Sequence, residues 1–200
     1  MKPYVITIAR QYGSGGKTVG KMLADKLGIP FYNREIITMA SEDSGVNAML
    51  FSDERLKGDF LTRLRAHYHG NAPVPNDSSK SYLKDEALFA YQVKIIRRLA
   101  DQGPCVMIGR CADYILREKA DCLKVFIHAD MKFRAERIVK VYGERERSPE
   151  ERLRDKDKRR AAYHRFYTNM KWGHAQNYHL TLDSGVIGID KCVDIIAELY

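Results

Sequence analysis

The sequence predicts an α/β fold in which helices cover both faces of a parallel β-sheet. Three observations carry this prediction. Short apolar runs alternate along the chain with segments of helical periodicity, a glycine-rich turn separates the first run from the first helix, and 200 residues are enough to bury the core of one domain. Helices placed between parallel strands supply the right-handed crossovers that such strands need.

Five apolar runs are the predicted strands. The run at residues 5–9 is almost uninterrupted, as expected of a strand that is covered on both faces. The next run, residues 29–32, follows a helix and leads into the polar residues Asn33 and Arg34. The remaining strands are predicted at residues 105–108, 123–127 and 178–182.

Helical periodicity appears between these runs. Val19, Leu23 and Leu27 recur on one face of a predicted helix, and Gly28 marks its end. A second helix is predicted after residue 35, and others at residues 83–99, 114–116, 133–141 and 189–199.

Composition excludes several classes of protein. Apolar residues form 44% of the chain and charged residues 30%, which is typical of a globular protein and not of a disordered or membrane-embedded one. No apolar stretch approaches the roughly 18 residues of a membrane-spanning helix, and the first residues lack the pattern of a signal peptide. We therefore expect a cytoplasmic protein without a membrane partner, and reduced, packed thiols at Cys105, Cys111, Cys122 and Cys192.

Positive charge is concentrated in one segment. The net charge of +8 favours polyanionic partners, and residues 132–165 hold 13 Lys and Arg against seven Asp and Glu, or +6 of that charge. Within this segment Ser148, Pro149 and Glu151 form a capping box that begins a helix. The segment is typical either of a solvated, salt-bridged helix pair or of a lid whose arginines close over transferring phosphates.

A glycine-rich turn is the clearest motif. Residues 10–18 read RQYGSGGKT and keep the Gly-Lys-Thr ending of a phosphate loop, although Gln11 stands where the pattern has its first glycine. Backbone N–H groups of such a loop surround phosphate oxygens at the positive end of the helix dipole. Lys17 is predicted to reach the β- and γ-phosphates, and Thr18 to ligate Mg²⁺. The other predicted nucleotide-binding residues of the loop are Gly13, Ser14, Gly15 and Gly16.

Two arginines directly follow predicted strands. Arg34 comes after the second strand, and Arg110 comes after the third, next to Gly109. The carboxyl ends of parallel strands lie at one edge of the sheet, so both side chains are expected beside the phosphate loop. Two guanidinium groups there suit bidentate binding of an acceptor phosphate. Each arginine alone is equally compatible with an ordinary surface position.

These motifs resemble the cytidylate kinase-like family of the nucleoside monophosphate kinase group. The matching segments, residues 6–37, 105–117, 157–173 and 177–188, keep the order found in that family. The resemblance implies a phosphate-loop kinase fold with a five-stranded parallel sheet. It also implies one kinase domain over residues 1–200, with a monophosphate-binding insertion at about 35–85 and a lid at about 137–165. ATP with Mg²⁺ is the implied donor, and a nucleoside monophosphate such as CMP or dCMP is the implied acceptor.

The resemblance also implies roles for single residues. Arg34 and Arg110 match arginines that hold the acceptor phosphate. Asp113 lies close to an aspartate of the cytidylate kinases, although displaced along the chain, and is the candidate substrate-binding residue for a cytosine base. Residues 157–160 resemble an Asp-x-x-Arg element of the lid, which makes Arg160 the first candidate for a transition-state arginine. The next lid candidates are Arg154 and Arg152, and those implied to lie at the adenine are Arg137, Ser184 and Gly185.

Two other functions stay open. A phosphate-loop kinase of another small metabolite is one of them, because no pattern in residues 45–82 specifies the acceptor. A nucleotide-dependent binder of nucleic acid or of an anionic surface is the other, since it would use the net charge. The sequence has no helix-turn-helix signature, aromatic stacking ladder or basic tail, so nucleic acid is not the expected partner. The oligomeric state is left open by the sequence.

Overall fold

The predicted strands form one parallel sheet. The computed structural model describes residues 4–51 and 78–200, and its strands are β1 (Val5–Arg10), β2 (Phe31–Tyr32), β3 (Cys105–Ile108), β4 (Cys122–His128) and β5 (Leu180–Asp183). Their order across the sheet is β2-β3-β1-β4-β5, and every neighbouring pair is parallel. The α/β fold predicted from the sequence is therefore confirmed.

The helices lie between these strands, as the alternating pattern predicts. Those of the described residues are α1 (Gly16–Leu27), α2 (Glu35–Ser44), α3 (Ser78–Gln102), α4 (Ala112–Ile115), α5 (Met131–Tyr142), α6 (Pro149–Thr168), α7 (Ser184–Ile187) and α8 (Ile189–Glu198). Short 3₁₀ turns occupy Ala48–Phe51 and Ala175–Asn177. Ser184 and Gly185 lie in the first turn of α7, which begins there because the Asp183 carboxylate accepts hydrogen bonds from the backbone N–H groups of Gly185 and Val186.

Side chains of β1 alternate between two apolar layers. Ile6 and Ile8 are fully buried on the face covered by α1 and α8, whereas Val5 is buried on the face covered by α2 and α3. Burying one such side chain contributes roughly 2 kcal/mol. Because both faces are covered, the polar loops are left at the ends of the strands, where the candidate site lies.

The structure describes the predicted lid fully and the predicted insertion only in part. The predicted monophosphate-binding insertion at about 35–85 is described only in part, because residues 52–77 lie outside the described residues. The predicted lid corresponds to the end of α5, the connection after it and most of α6. Ser148 Oγ accepts a hydrogen bond from the Glu151 backbone N–H at 3.2 Å, so the predicted N-cap is confirmed. In the described ranges, no helix combines the length and apolar character needed to cross a membrane.

All four cysteines are buried and carry free thiols. Burial raises the pKa of Cys105 to about 12 and that of Cys122 to about 11. The thiolate is the reactive form, so iodoacetamide at pH 8 is expected to leave both residues unmodified in the folded protein. Peptide mass spectrometry would measure the modification, with protein unfolded in guanidinium chloride as the fully reactive control. Equal modification rates in the folded and unfolded states would contradict this expectation.

Candidate nucleotide and acceptor site

The phosphate loop runs from the end of β1 to the first turn of α1. Gly13 and Gly15 adopt positive φ angles of 83° and 80°, which L side chains rarely adopt. The Ser14 hydroxyl lies within hydrogen-bond distance of the carbonyl oxygens of Gln11 at 2.9 Å and Ile127 at 3.1 Å. These contacts hold the loop against the end of β4. The loop leads into α1, whose first residue is Gly16, so it lies at the N-terminus of that helix.

Gln11 takes the position of the missing first glycine without strain. It is not among the described residues with positive φ, so its backbone does not require glycine. Its N–H donates to the Ile127 carbonyl at 3.0 Å, and its side-chain Oε1 accepts a hydrogen bond from the Ala129 N–H at 3.2 Å. The Gln11 side chain therefore joins the phosphate loop to the residues that follow β4. A glycine at this position has no side chain and could not make this contact.

Ser184 supports the loop from its other side. Its hydroxyl is fully buried and lies 2.5 Å from the Ser14 carbonyl and 3.0 Å from the His128 carbonyl. The side chain thus joins the phosphate loop to the ends of β4 and β5. Gly185 lies beside it, with its backbone N–H bound to the Asp183 carboxylate. The adenine contacts implied for Ser184 and Gly185 stay predictions, while the support of the loop by Ser184 is a contact of this structure.

Lys17 and Thr18 lie in the first turn of α1. Thr18 Oγ1 accepts a hydrogen bond from Arg137 Nη2 of α5 at 2.8 Å, so Arg137 reaches the phosphate loop. The Thr18 hydroxyl is a hard oxygen donor of the kind that Mg²⁺ takes from proteins, the rest of its coordination coming from water and substrate phosphates. In the ranges that the structure describes, no group of three or more His, Cys, Asp and Glu residues could hold a metal ion. The residues present fit a magnesium ion held mainly by nucleotide phosphates.

The charge of Lys17 reaches the chain that follows β2. Burial acts to raise the pKa of Glu35, but hydrogen bonds from the backbone N–H groups of residues 33–35 and the charge of Lys17 bring that pKa below its usual value. Glu35 directly follows Arg34, which is exposed at the start of α2. The Lys17 charge of the predicted donor loop thus acts on Glu35, the residue next to the predicted acceptor arginine.

Arg110 occupies an unusual turn after β3. Three consecutive residues, Gly109, Arg110 and Cys111, have positive φ angles of 69°, 60° and 56°. Non-glycine residues in this region carry strain, which is common at functional sites. Arg110 Nη1 donates a hydrogen bond to the Phe51 carbonyl at 3.0 Å, so its guanidinium extends toward the 3₁₀ turn at Ala48–Phe51, within the predicted insertion.

Asp113 has a different environment from the one its resemblance implies. Its carboxylate is buried, with Oδ2 lying 3.1 Å from His164 Nε2 of α6. Burial, followed by the charge of Asp113, raises the pKa of Tyr178. The Asp113 side chain therefore joins α4 to α6, and its implied contact with an acceptor base stays a prediction.

An ion pair that the sequence reasoning missed joins α5 to α6 in the α5–α6 segment, residues 131–168, and both of its partners form hydrogen bonds with Tyr12 of the phosphate loop. Arg134 Nη1 lies 2.6 Å from Asp157 Oδ2, while Asp157 Oδ1 accepts the Tyr12 N–H at 2.7 Å. Burial raises the pKa of Asp157, whereas the Tyr12 N–H and the two guanidinium groups of Arg134 and Arg160 oppose that rise. The sequence places Arg134 in a predicted helix but gives no sign of its buried ion pair, because arginines on helix surfaces have the same spacing.

The lid arginines differ in their positions. Arg160 Nη1 donates to the Arg10 carbonyl at 3.1 Å, and its guanidinium lies 5.5 Å from the centroid of the Tyr12 ring. Arg152 Nη1 donates to the Gly143 carbonyl at 3.2 Å, away from these contacts. Arg154 is exposed on α6. Of the three candidates, the structure brings Arg160 to the phosphate loop.

The fold and this loop define the class of protein. A parallel sheet of order β2-β3-β1-β4-β5 with a phosphate loop after the central strand is the fold of the phosphate-loop kinases, transferases that use a nucleotide. The chain belongs to the cytidylate kinase-like family, which it matches over residues 5–186. Both the fold and the family expected from the sequence are thus confirmed.

Solved structures of similar fold agree with the parallel α/β architecture. An uncharacterized protein from Eubacterium ventriosum ATCC 27560 is 26% identical with a TM-score of 0.70, the match covering 97% of this chain and 96% of that one. Shikimate kinase from Acinetobacter baumannii, in complex with shikimate, is 15% identical with a TM-score of 0.52 and coverages of 98% and 92%. A gluconokinase from Sinorhizobium meliloti 1021 is 17% identical with a TM-score of 0.50 and coverages of 98% and 94%. None of the curated proteins compared with the chain matches it.

Proposed function

We propose that this protein transfers the γ-phosphoryl group of ATP, with Mg²⁺, to a nucleoside monophosphate, with CMP or dCMP as the preferred acceptor. The observation that carries the proposal is the arrangement at the carboxyl edge of the sheet. The Lys17 charge acts on Glu35 beside Arg34, and Arg160 of the α5–α6 segment is bound to the chain just before the loop. A donor loop, an acceptor arginine and a lid arginine are the parts that phosphoryl transfer between two phosphates needs.

Donor binding falls to the phosphate loop. The backbone N–H groups of residues 13–18 bind the β- and γ-phosphates at the N-terminus of α1, and Lys17 neutralises their charge. Thr18 would give one oxygen to the magnesium ion, and Arg137, the hydrogen-bond partner of Thr18, would contact the nucleotide. MgATP supplies the transferable phosphoryl group and the metal charge when it is bound. Ser184 and Gln11 keep the loop rigid, so little reorganisation is needed at the moment of transfer.

Acceptor binding falls to Arg34 and Arg110. Each presents a planar guanidinium that can bind two phosphate oxygens at once. A nucleoside monophosphate already carries its nucleophilic oxygen as an anion, so the chain needs no general base to activate it. Arg160, with Arg154 as the second candidate, stabilises the charge on the equatorial oxygens during transfer. Positioning and charge neutralisation are then the whole contribution of the protein.

The proposal is tested by ADP release in the presence of Mg²⁺ and a panel of acceptors. We expect turnover with CMP and dCMP above that with UMP, AMP and GMP, and no turnover with cytidine. Arg110→Met is expected to lower kcat/KM by about 10²-fold, since it removes a charged ligand of the phosphate. Arg117→Met is the matched control, because Arg117 is an exposed arginine that pairs with Glu118. Turnover equal to the no-acceptor background with every monophosphate would refute the proposal.

One observation favours a second candidate, the kinase of another small metabolite. The carboxylate of Asp113 is engaged with His164 and buried, so the residue implied to read the cytosine base is occupied. Shikimate and gluconate, the acceptors suggested by the names of two structures of similar fold, therefore belong in the same panel. Turnover with either of them and with no monophosphate would select this second candidate.

A further inference from the structure

Arginines stand at the ends of three adjacent strands. Ile8 of β1 is level with Ile108 of β3, and Met107 of β3 is level with Tyr32 of β2. Counting two residues onward from Ile8, Ile108 and Tyr32 reaches an arginine in every case. The three strand-end arginines are Arg10, Arg110 and Arg34. The sheet register therefore places all of them within about one residue step of the same level.

The side chain of Arg10 runs from the phosphate loop toward the Gly109 turn. A Cβ atom added to Gly16 would lie 2.5 Å from Arg10 Cβ, so the base of the side chain packs against the start of α1. A Cβ atom added to Gly109 would lie 2.2 Å from Arg10 Nη1, so the guanidinium occupies the space that Gly109 leaves open. Arg10 thus spans the interval between the donor loop and the turn that carries Arg110.

Two contacts fix the main chain at Arg10. Arg10 pairs with Ile127 in the register of β1 and β4, and its carbonyl accepts the hydrogen bond from Arg160. A rigid backbone limits the volume in which the guanidinium can move. The same carbonyl links this position to the α5–α6 segment, which carries the proposed transition-state arginine.

We propose that Arg10 is an additional anion-binding residue that contacts the phosphate of the acceptor on the side facing the donor loop. This inference rests on the proposed function, since it assigns a ligand within the same site. The guanidinium can bind two oxygens through its fork, and it remains charged at every working pH. With Arg34 and Arg110 it surrounds one phosphate group from three strand ends, which selects a phosphorylated acceptor over its neutral nucleoside.

The test compares Arg10→Gln with Arg10→Lys and with Arg98→Gln. Arg98 is an exposed arginine of α3 that lies 3.6 Å from Asp43, so it serves as the matched control. Each protein is saturated with Mg²⁺ and the non-hydrolysable analogue AMP-PNP, and calorimetry then measures the binding of CMP and of cytidine. We expect Arg10→Gln to weaken CMP binding about 10- to 100-fold, as for loss of a charged hydrogen-bonding group. Arg10→Lys is expected to lie in between, with cytidine and AMP-PNP binding unchanged throughout.

Three results would overturn the inference. One is CMP affinity equal to wild type in Arg10→Gln. The others are an equal loss of CMP and cytidine affinity, or a loss of AMP-PNP affinity, each of which would assign Arg10 a purely structural role. If the wild-type protein binds no CMP, the proposed function fails for that acceptor, and Arg10 is judged with inorganic phosphate in the presence of Mg²⁺ and AMP-PNP. Phosphate binding that is lost in Arg10→Gln supports the inference, while binding that is unchanged or absent in wild type contradicts it.

Gly109→Ala provides an independent probe of the same contact. The added methyl group would overlap Arg10 Nη1, the far end of a long side chain, so it is expected to displace the guanidinium. The ratio of CMP to cytidine affinity should then fall as in Arg10→Gln, and the double variant should lose no more than Arg10→Gln alone. A further loss in the double variant would contradict the inference, because it would show that the methyl group acts elsewhere. If the positive φ of Gly109 prevents the variant from folding, the comparison of Arg10→Gln with Arg10→Lys decides.

Discussion

Replacing Lys17 by methionine is expected to lower kcat by roughly 10³-fold while leaving the free energy of unfolding within about 0.5 kcal/mol of wild type. Lys17 is exposed in the first turn of α1, so its side chain is not needed for the core. Its charge acts on Glu35, the residue that follows the proposed acceptor arginine Arg34. Steady-state kinetics with the best acceptor of the panel and thermal unfolding together measure both expectations.

Lys21→Met is the matched control for this substitution. Lys21 lies one turn further along α1 and forms an exposed ion pair with Asp25 at 2.6 Å. Such pairs contribute little to stability, so this variant should keep both wild-type turnover and wild-type unfolding. Lys17→Met with kcat within threefold of wild type would remove Lys17 from the proposed mechanism.

Replacing Asp157 by alanine is expected to reduce the free energy of unfolding by about 3 kcal/mol, or roughly 10 °C in Tm for a chain of this size. The substitution leaves the buried Arg134 guanidinium without its carboxylate and the Tyr12 N–H without its acceptor. Because Tyr12 belongs to the phosphate loop, ATP affinity should fall as well. Thermal unfolding with and without ATP would measure both effects.

A double-mutant cycle separates the ion pair from general damage to α6. Replacing both partners, Asp157→Ala with Arg134→Met, should recover part of the stability, because no uncompensated charge is then buried. Glu136→Ala is the control, an exposed carboxylate of α5 whose loss should have almost no effect. If the changes in the free energy of unfolding of the two single variants add exactly to that of the double variant, the Arg134–Asp157 contact contributes no interaction free energy.

These contacts describe how the basic segment and the phosphate loop are connected. Part of the charge in the segment is paired, as in Arg134 with Asp157 and Arg159 with Asp155. Arg137 and Arg160 instead extend from it to Thr18 and to the Arg10 carbonyl. The basic segment noted in the sequence therefore contains arginines that pair with carboxylates of the same segment and two arginines that are directed at the loop.

The fold was predictable from local patterns. Apolar runs at 5–9 and 105–108 became β1 and β3, because near-continuous apolar residues are favourable only where both faces of a strand are covered. The phosphate loop was also predictable from local patterns, because its glycines and the helix that follows them are neighbours in sequence. Strand ends differ from these predictions by one or two residues, because hydrogen bonding to the neighbouring strand decides where a strand stops.

Pairings between distant residues were decided by the tertiary structure alone. The position of Asp113 after the Gly-Arg pair suggested a base contact, yet His164, 51 residues away, lies against its carboxylate. In the sequence, Gln11 is a departure from the phosphate-loop pattern. In the structure, its side-chain oxygen accepts a hydrogen bond from the Ala129 N–H. The place of the Arg10 guanidinium beside Gly109 depends on the pairing of β1 with β3, which are separated in the chain by α1, β2, α2 and α3.

The sequence by itself thus determined the parallel α/β sheet, the phosphate loop and the family, because each is encoded by residues close together in the chain. The tertiary structure decided which charged side chains lie at the site and which form buried ion pairs or hydrogen bonds between helices. The physical reason is that a guanidinium or a carboxylate is defined functionally by its nearest partners. For Arg10, Arg134, Asp113 and Asp157, those partners come from other strands and helices.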